Sequence, residues 1–470
     1  MTPKKIAAFA LGPLGGALLS FITLPVITWI FSQQDIGRLA MLNVVISFST
    51  LLFSLGLDQA YVREFHETKS KPALFKVAIL PGLVLLTLTL SVLLSMDNII
   101  SSWLFDIDSQ FLSLLVALVI LSSFISRFLS LILRMNEKGL AFSMSQVLPK
   151  LLLIIIIGSY VVLSVNNTIT NLLLANVSAI LFVCVIFVWN TRDEWLKGIS
   201  EKVNYAYLMQ LLRFGMPLIF GGLAFWGLTA TDKILLKELS NFEQLGLYSV
   251  AVSFAASATI FQSIFSTVWA PTVYKWAAKG ENLDKIAKVN RFVLLAVIVL
   301  FSLSGLLSWI VTYILPDAYK PVQWILLSCL GYPLLYTLSE TTVVGIGVTR
   351  RSGFAMLAAC IAFVINLLGN WWLIPIYGAA GAAVSTCVSF WVFFIMRTEF
   401  AIYVWRPIPR KSMYLYSTVL VFGAVLNSLY AQMFSIQFML FWFVILLSVL
   451  LFFRSELWEI KSFVCRKMSQ

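Results

Sequence analysis

The sequence predicts an all-α polytopic membrane protein of about 14 transmembrane helices, built as two six-helix pseudo-symmetric lobes followed by two C-terminal helices. Three observations predict it. Hydrophobic residues make up 60% of the 470 positions and charged residues 11%, with a mean hydropathy of +0.94, where an ordinary soluble domain has roughly a quarter charged residues. Apolar runs of about 20 residues recur along the whole chain, each long enough to cross a hydrocarbon layer about 30 Å thick. The Lys and Arg residues between the runs collect on one side. In lipid the backbone must satisfy its own hydrogen bonds, which leaves helices or closed barrels. The runs are continuous rather than short and alternating, so they are helices.

The spans fall near 7–31, 37–58, 73–95, 110–134, 140–163, 168–190, 212–236, 243–270, 290–314, 321–345, 352–376, 378–402, 412–431 and 435–453. The first follows Lys4-Lys5. Its apolar run is too long for a signal peptide and lacks a small-residue cleavage site, so it is read as a retained span. Lys and Arg concentrate in cytoplasmic segments. One side receives Lys4 and Lys5, then Arg63, Lys69, Lys71 and Lys76, then Arg134 and Lys138, then Arg192, Lys197, Lys202 and Arg213. It goes on to collect Lys275, Lys279, Lys285, Lys288 and Arg291, the pair Arg350 and Arg351, the group Arg397, Arg406, Arg410 and Lys411, and the tail residues Arg454, Lys461, Arg466 and Lys467. The other side has Arg38, Lys233, Lys237 and Lys320. A wrong span count would scramble this asymmetry from the error onward, so both termini are expected in the cytoplasm. The net charge of +12 is then an imprint of membrane insertion, and no nucleic-acid partner is expected.

Several chemistries are excluded. His66 is the single histidine, which removes HExxH zinc sites and His-based triads. There is no GxxxxGK[ST], so no P-loop hydrolysis of ATP. Cys184, Cys329, Cys360 and Cys387 lie in spans and Cys465 in the tail, without CxxC or metal-ligand spacing. They read as small apolar residues. No cofactor or metal is expected, and active transport would draw on a gradient of H⁺ or Na⁺ or on a partner. The connections are short, the longest polar one near 191–211, and the outer loop 96–109 holds Asp97, Asp106 and Asp108 with no Lys or Arg. Function therefore belongs inside the membrane.

The chain repeats weakly. Span 1 has Gly12-Pro13 and Gly15-Gly16, and Pro25 further on; span 7 has Gly215, Pro217 and Gly221-Gly222. Ile36-Gly37 follows span 1 as Leu245-Gly246 follows span 7. Spans 4 and 10 both end in a basic turn, at Arg134/Lys138 and Arg350/Arg351. The expected division is 1–203 for an N-terminal six-helix lobe, 204–404 for a C-terminal one, and 405–470 for two extra helices and a tail. A six-span unit starts and ends on the same side, so the two share an orientation. Gly- or Pro-interrupted spans at matching positions point to a transport path, and Gly12, Pro13, Pro25, Gly215 and Pro217 are expected to bend their helices. Packing is the alternative use of such residues.

Charges inside spans are functional candidates. Lys150, in "LPKLLLIIIIG", lies ten residues into span 5, about 15 Å deep at 1.5 Å per residue. Gln146 and Ser143 share its helical stripe. Arg127 in span 4 aligns with Ser123, Ser130 and Arg134; snorkelling to the interface is its alternative. Span 2 carries a stripe of Asn43, Ser47, Thr50, Ser54 and Asp58, and span 8 repeats it with Ser249, Ser253 and Ser257. Asn366 and Asn370 in span 11 read as partners in an interhelical hydrogen bond. Lys150 and Arg127 suit an anionic cargo such as phosphate, with Asn43 beside them on a wet face. Asp58, Glu340 and Asp232 can carry a coupling ion. Internal neutralisation of each cation by a carboxylate is the structural alternative.

Three stretches resemble Wzx-type polysaccharide flippases of the superfamily that also holds MATE exporters and lipid II flippases. They are "GGALLSFITLPVITWIFSQQDIGRLA" with "GLDQAYVR", "TDKILLKELSNFEQLGLYSVA", and "GVTRRSG" with "NLLGNWWLIPIYGAAGAAVST". The resemblance implies a MATE-like V-shaped pair of lobes and alternating access, with helices 1, 2, 7 and 8 near a central cavity. It implies an undecaprenyl-diphosphate-linked oligosaccharide as cargo, in a bacterial inner membrane. Membrane lipids, a polysaccharide polymerase and a chain-length regulator are the other partners it implies. Matching charges carry over at Asp58 and Arg63 in "GLDQAYVR" and at Asp232 and Lys233 in "TDK". Two rivals stand beside this reading. A MATE-type cation-coupled drug exporter would prefer an acidic or aromatic cavity. A membrane-embedded polymerase or glycosyltransferase would need a sizeable outer loop or a carboxylate cluster.

Overall fold

The structure is a computed structural model that describes residues 3–280, 284–459 and Ser462, the side chains of residues 3–10 and Pro13 excepted. The side chains of Lys4 and Lys5, the ring of Pro13, and Lys461, Cys465, Arg466 and Lys467 lie outside the described residues. The helices of the first half are α1 (Pro3–Ile30), α2 (Gln33–Phe53), α3 (Leu57–Glu64), α4 (Lys71–Ser95), α5 (Ile99–Phe105), α6 (Gln110–Met135), α7 (Gly139–Val162), α8 (Ile169–Asn190) and α9 (Arg192–Ser200). Then come α10 (Tyr205–Leu239), α11 (Phe242–Ala255), α12 (Thr259–Lys279), α13 (Lys285–Leu307), α14 (Val311–Ile314), α15 (Val322–Val348), α16 (Ser352–Tyr377), α17 (Ala379–Val404), α18 (Lys411–Tyr430) and α19 (Ser435–Phe452). Among the described residues, 13 helical segments are long and apolar enough to cross a membrane, and α1 adds a shorter apolar stretch, Leu14–Ile30.

Local chemistry sets the span ends. Side-chain oxygens of Ser32, Ser70, Ser109, Thr168 and Asn241 accept the free amides of Asp35, Ala73, Leu112, Asn171 and Gln244 at the starts of α2, α4, α6, α8 and α11. Each such cap is worth about 1 kcal/mol. Positive φ at Asp97, Asp106, Glu137, Ser164, Arg350 and Gly378 reverses the chain in the connections.

The chain divides into two compact units, Met1–Lys233 and Ile234–Gln470. The expected limits at 203 and 404 stay a proposal. In the first unit α1 lies along α7, and α6 packs on α8, α4 and α2. In the second unit α15 is the central helix, packed against α17, α11, α12, α13 and α18. The two C-terminal spans belong to this unit: α18 lies on α15 and α17, and α19 lies on α13. Trp442 of α19 is fully buried, sits against Gly305 and Gly423, and donates its indole N–H to Asn427 at 3.4 Å.

The helices that carry the Gly and Pro residues of spans 1 and 7 are continuous. The backbone of α1 is helical through Pro13 and Pro25, that of α7 through Pro149, and that of α10 through Pro217. Each proline removes one donor, and the rest of the ladder holds the helix. The second span of each half is divided, as is the span Lys285–Ile314, where a 3₁₀ turn at Ser308–Ile310 separates α13 from α14. In the first half α2 stops at Phe53, Leu55 and Gly56 take φ of 50° and 66°, and α3 begins. Asp58 therefore sits in the first turn of a separate short helix, and the polar stripe that starts at Asn43 ends with Ser54. In the second half a 3₁₀ turn, Ala256–Ala258, separates α11 from α12.

Gly56 is required twice over. Its φ is left-handed, where a side chain is disfavoured, and an added Cβ would overlap the carbonyl of Gly215 in α10. Gly56→Ala and Gly215→Ala should each cost about 1–3 kcal/mol, read as a lowered unfolding midpoint of the detergent-solubilised chain. Gly158→Ala, at a position with nothing within 4 Å of the new carbon, should leave it unchanged or higher. A wild-type midpoint for Gly56→Ala would contradict the close backbone crossing.

Candidate substrate-binding site

Lys150 is set by the contact between α1 and α7. Gly12, Gly16 and Ser20 recur every fourth residue, so they form one line of small residues on α1. A Cβ on Gly12 would come within 2.9 Å of Ser143 Cα, and one on Gly16 within 3.4 Å of the Gln146 carbonyl oxygen. These glycines let the helices touch, a packing use beside any bending. The approach brings the Lys150 ammonium to the Gly16 carbonyl at 2.7 Å and to the Ser20 hydroxyl, which itself donates to the Gly16 carbonyl at 2.9 Å. An ammonium has three donors. Two are used on neutral oxygens, and among the described residues no carboxylate lies within ion-pair distance of Lys150. The side chain is half-buried, and its charge is held in place without being neutralised.

Arg127 and Asp58, expected in separate roles, are brought together. The Arg127 guanidinium donates Nη2 at 2.7 Å and Nε at 3.3 Å to one Asp58 carboxylate oxygen. Asp58 also accepts the Gln59 amide at 2.9 Å and is buried. Arg127 keeps 42% of its side-chain surface exposed, so it can meet a further anion while paired. Arg63 is exposed on α3 with its guanidinium 4.4 Å from the Phe214 ring centre and its Nε 3.7 Å from Glu64.

A column of contacts ties α10 to α2 and the turn after it. Gly215 meets Gly56; Gly222 stands where a Cβ would come within 3.0 Å of Leu51; Trp226 donates its indole N–H to Ser47 at 3.0 Å. The partners step down one helix as they step up the other, as in antiparallel packing. Asn43 lies one turn beyond Ser47 and is exposed. Asp232, further along α10, is buried and Lys233 half-buried.

In the second unit Glu340 of α15 pairs with Arg397 of α17 at 2.8 Å. Arg397 also donates to Ser339 Oγ at 2.6 Å and lies against the rings of Tyr336 and Phe393, 5.1 and 4.8 Å from their centres. Counting Arg397 among cytoplasmic loop cations therefore needs correction: it is buried inside α17, seven residues from the helix end and so about 10 Å deep. The sequence does carry the signal, an arginine within an apolar span with a glutamate in another. Asn366 and Asn370 bond as expected. Asn370 donates to Asn366 at 3.0 Å within α16, and Asn366 donates to Thr386 of α17 at 3.3 Å. Ser20 and Trp226 carry the local geometry; the sequence did not single them out, because their roles rest on contacts with helices distant in sequence.

Removing one member of a buried pair strands the other charge at about 3–5 kcal/mol. Arg397→Met should therefore lower the unfolding midpoint sharply, and adding Glu340→Gln should recover most of the loss. Equal midpoints for the single and double variants would contradict the pair.

The polysaccharide biosynthesis protein family matches residues 3–276, more than half of the chain. The probable low-salt glycan biosynthesis flippase Agl15 of Haloferax volcanii is 24% identical over 161 residues, 33% of this chain and 34% of that protein, so the chain matches about a third of that relative's length. Among solved structures, the lipid II flippase MurJ in an inward closed conformation superposes with a TM-score of 0.67, at 14% identity, over 97% of this chain and 100% of that one. An inward-facing MATE-family multidrug resistance transporter of the MOP superfamily gives 0.58 at 13% identity, over 83% and 95%. The Vibrio cholerae MATE transporter VcmN gives 0.55 at 13% identity, over 88% and 97%. Both kinds of transporter share the architecture of this chain. With that architecture and a match over more than half its length, the chain belongs to the polysaccharide biosynthesis protein family.

Proposed function

We propose that this chain is a flippase that moves an undecaprenyl-diphosphate-linked oligosaccharide from the cytoplasmic to the outer leaflet by alternating access. The observation that carries the proposal is Lys150, a cation deep in a span whose hydrogen-bond partners are neutral oxygens. A diphosphate cannot enter hydrocarbon unless something replaces its water. An ammonium already held by a carbonyl and a hydroxyl can turn its third N–H to a phosphate oxygen without breaking an ion pair. Two of the proteins it is similar to are a probable glycan biosynthesis flippase and a lipid II flippase, and both roles agree with this cargo.

Arg127 supplies a second contact, conditional on Asp58. While Asp58 is ionised the pair is neutral. A proton on Asp58, or Na⁺ beside it, would free the guanidinium for bidentate binding of phosphate, which links ion uptake to cargo affinity. Glu340 and Asp232 are the other coupling candidates, with Arg63, Lys233 and Asn43 as further cargo contacts. The distribution of Lys and Arg supports an orientation with both termini in the cytoplasm, and the undecaprenyl carrier of the proposed cargo would place the chain in a bacterial cytoplasmic membrane. A polymerase and a chain-length regulator would take the product outside.

Likeness of fold to MATE transporters favours a second reading, cation-coupled drug export. Lys150 opposes it, because an uncompensated ammonium repels a cationic drug. Surface glycan measured in cells that carry Lys150→Ala in place of the native chain should fall about tenfold or more. Lys150→Arg should retain a measurable part, and sensitivity to cationic drugs should not change. Native glycan levels with Lys150→Ala would remove this residue from the mechanism, and altered drug sensitivity with normal glycan would favour the exporter.

A further inference from the structure

We infer that Trp226, Ser47 and Asn43 form a subsite for a sugar ring of the cargo, an inference that rests on the flippase reading above. Ser47 and Trp226 lie at one depth, with Asn43 one helical turn away. Ser47 is fourteen residues from the start of α2 and Trp226 thirteen from the end of α10, about 20 Å in each case at 1.5 Å per residue. Asn43 is four residues nearer the start. That depth is well inside a hydrocarbon layer about 30 Å thick.

The indole is fixed before anything binds. Ser47 Oγ donates its proton to the Val44 carbonyl at 2.8 Å, so its lone pairs are free to accept the Trp226 N–H at 3.0 Å. Phe48 lies against the indole with ring centres 4.9 Å apart and planes inclined at 47°. Gly222, one turn along α10, allows the approach to Leu51 that seats the ring. The only polar atom of the indole is thereby satisfied, and the half-buried ring offers its apolar surface.

Asn43 is the second and independent observation. Its side chain is exposed and has no hydrogen-bond partner among the described residues. An amide carries two donors and an acceptor, and leaving them bare in hydrocarbon costs a few kcal/mol. The position is therefore suited to water or to a polar ligand. A pyranose has one largely C–H face and a rim of hydroxyls. The aromatic surface matches the first, and the adjacent amide matches the second. Lys150 and Arg127 serve the diphosphate; this trio serves what is attached to it.

The test is a binding titration of the purified full chain in lipid nanodiscs with two probes, undecaprenyl diphosphate and the lipid-linked oligosaccharide extracted from the producing cells. The wild type should bind the glycosylated probe about tenfold more tightly. Trp226→Ala should erase that preference and leave affinity for the sugar-free probe unchanged, Trp226→Tyr should keep part of it, and Asn43→Ala should reduce it several-fold. Equal weakening of both probes by Trp226→Ala would assign the indole a structural role and overturn the inference. So would no change in either, or equal affinity of the wild type for the two probes. If Trp226→Ala does not fold, Trp226→Tyr and Asn43→Ala decide by the same comparison. A wild type that binds neither probe defeats the flippase reading itself, and this inference with it.

Discussion

An ionised side chain taken into hydrocarbon costs several kcal/mol unless protein or water replaces its hydration, and that cost shapes the surroundings of Arg127, Arg397 and Lys150. Two guanidinium groups meet it with carboxylates, Arg127 with Asp58 and Arg397 with Glu340. Lys150 meets it with a carbonyl and a hydroxyl. The difference matters for transport. An ion pair is electrically closed, and an arriving anion must compete with the resident carboxylate. Neutral acceptors orient the ammonium and leave its field intact. In the flippase proposed above, one such charge far from the surface would keep the diphosphate headgroup bound in transit.

Backbone proximity makes this arrangement affordable in space. Between helices in lipid there is little hydrophobic drive, so association rests on contact and hydrogen bonding. Gly12 and Gly16 bring α1 onto α7 closely enough for Lys150 to reach the α1 backbone. Gly56, Gly215 and Gly222 bring α10 onto α2 and its terminal turn closely enough for Trp226 to reach Ser47. In both places a glycine contact and a polar contact lie within about two turns of each other, so losing the first would displace the second.

The spans were legible because hydropathy sets their number and Ser, Thr or Asn caps set many of their starts; α6, expected over 110–134, runs Gln110–Met135, and α16, expected over 352–376, runs Ser352–Tyr377. The division of span 2 was not legible. Nothing in "FSLGLD" forbids a helix strongly enough, and the left-handed turn at Leu55 and Gly56 is set by where Gly215 lies in space. Charged candidates were found and their partners were not, because pairing depends on helix neighbours far apart in sequence. Arg397 was misread for a related reason: near a span end, an arginine that snorkels and one that pairs inward look alike. Residues without charge, such as Ser20 and Trp226, acquire meaning only from what they touch.

The central claim is that position 150 faces a hydrated path used by the diphosphate. It is tested most directly by Lys150→Cys in a background without the native cysteines, reconstituted in vesicles and treated with an anionic, water-soluble thiol reagent. The account predicts modification, and predicts that undecaprenyl diphosphate slows it. A thiol that stays unreactive, or one that reacts at the same rate with and without the lipid, would contradict the account.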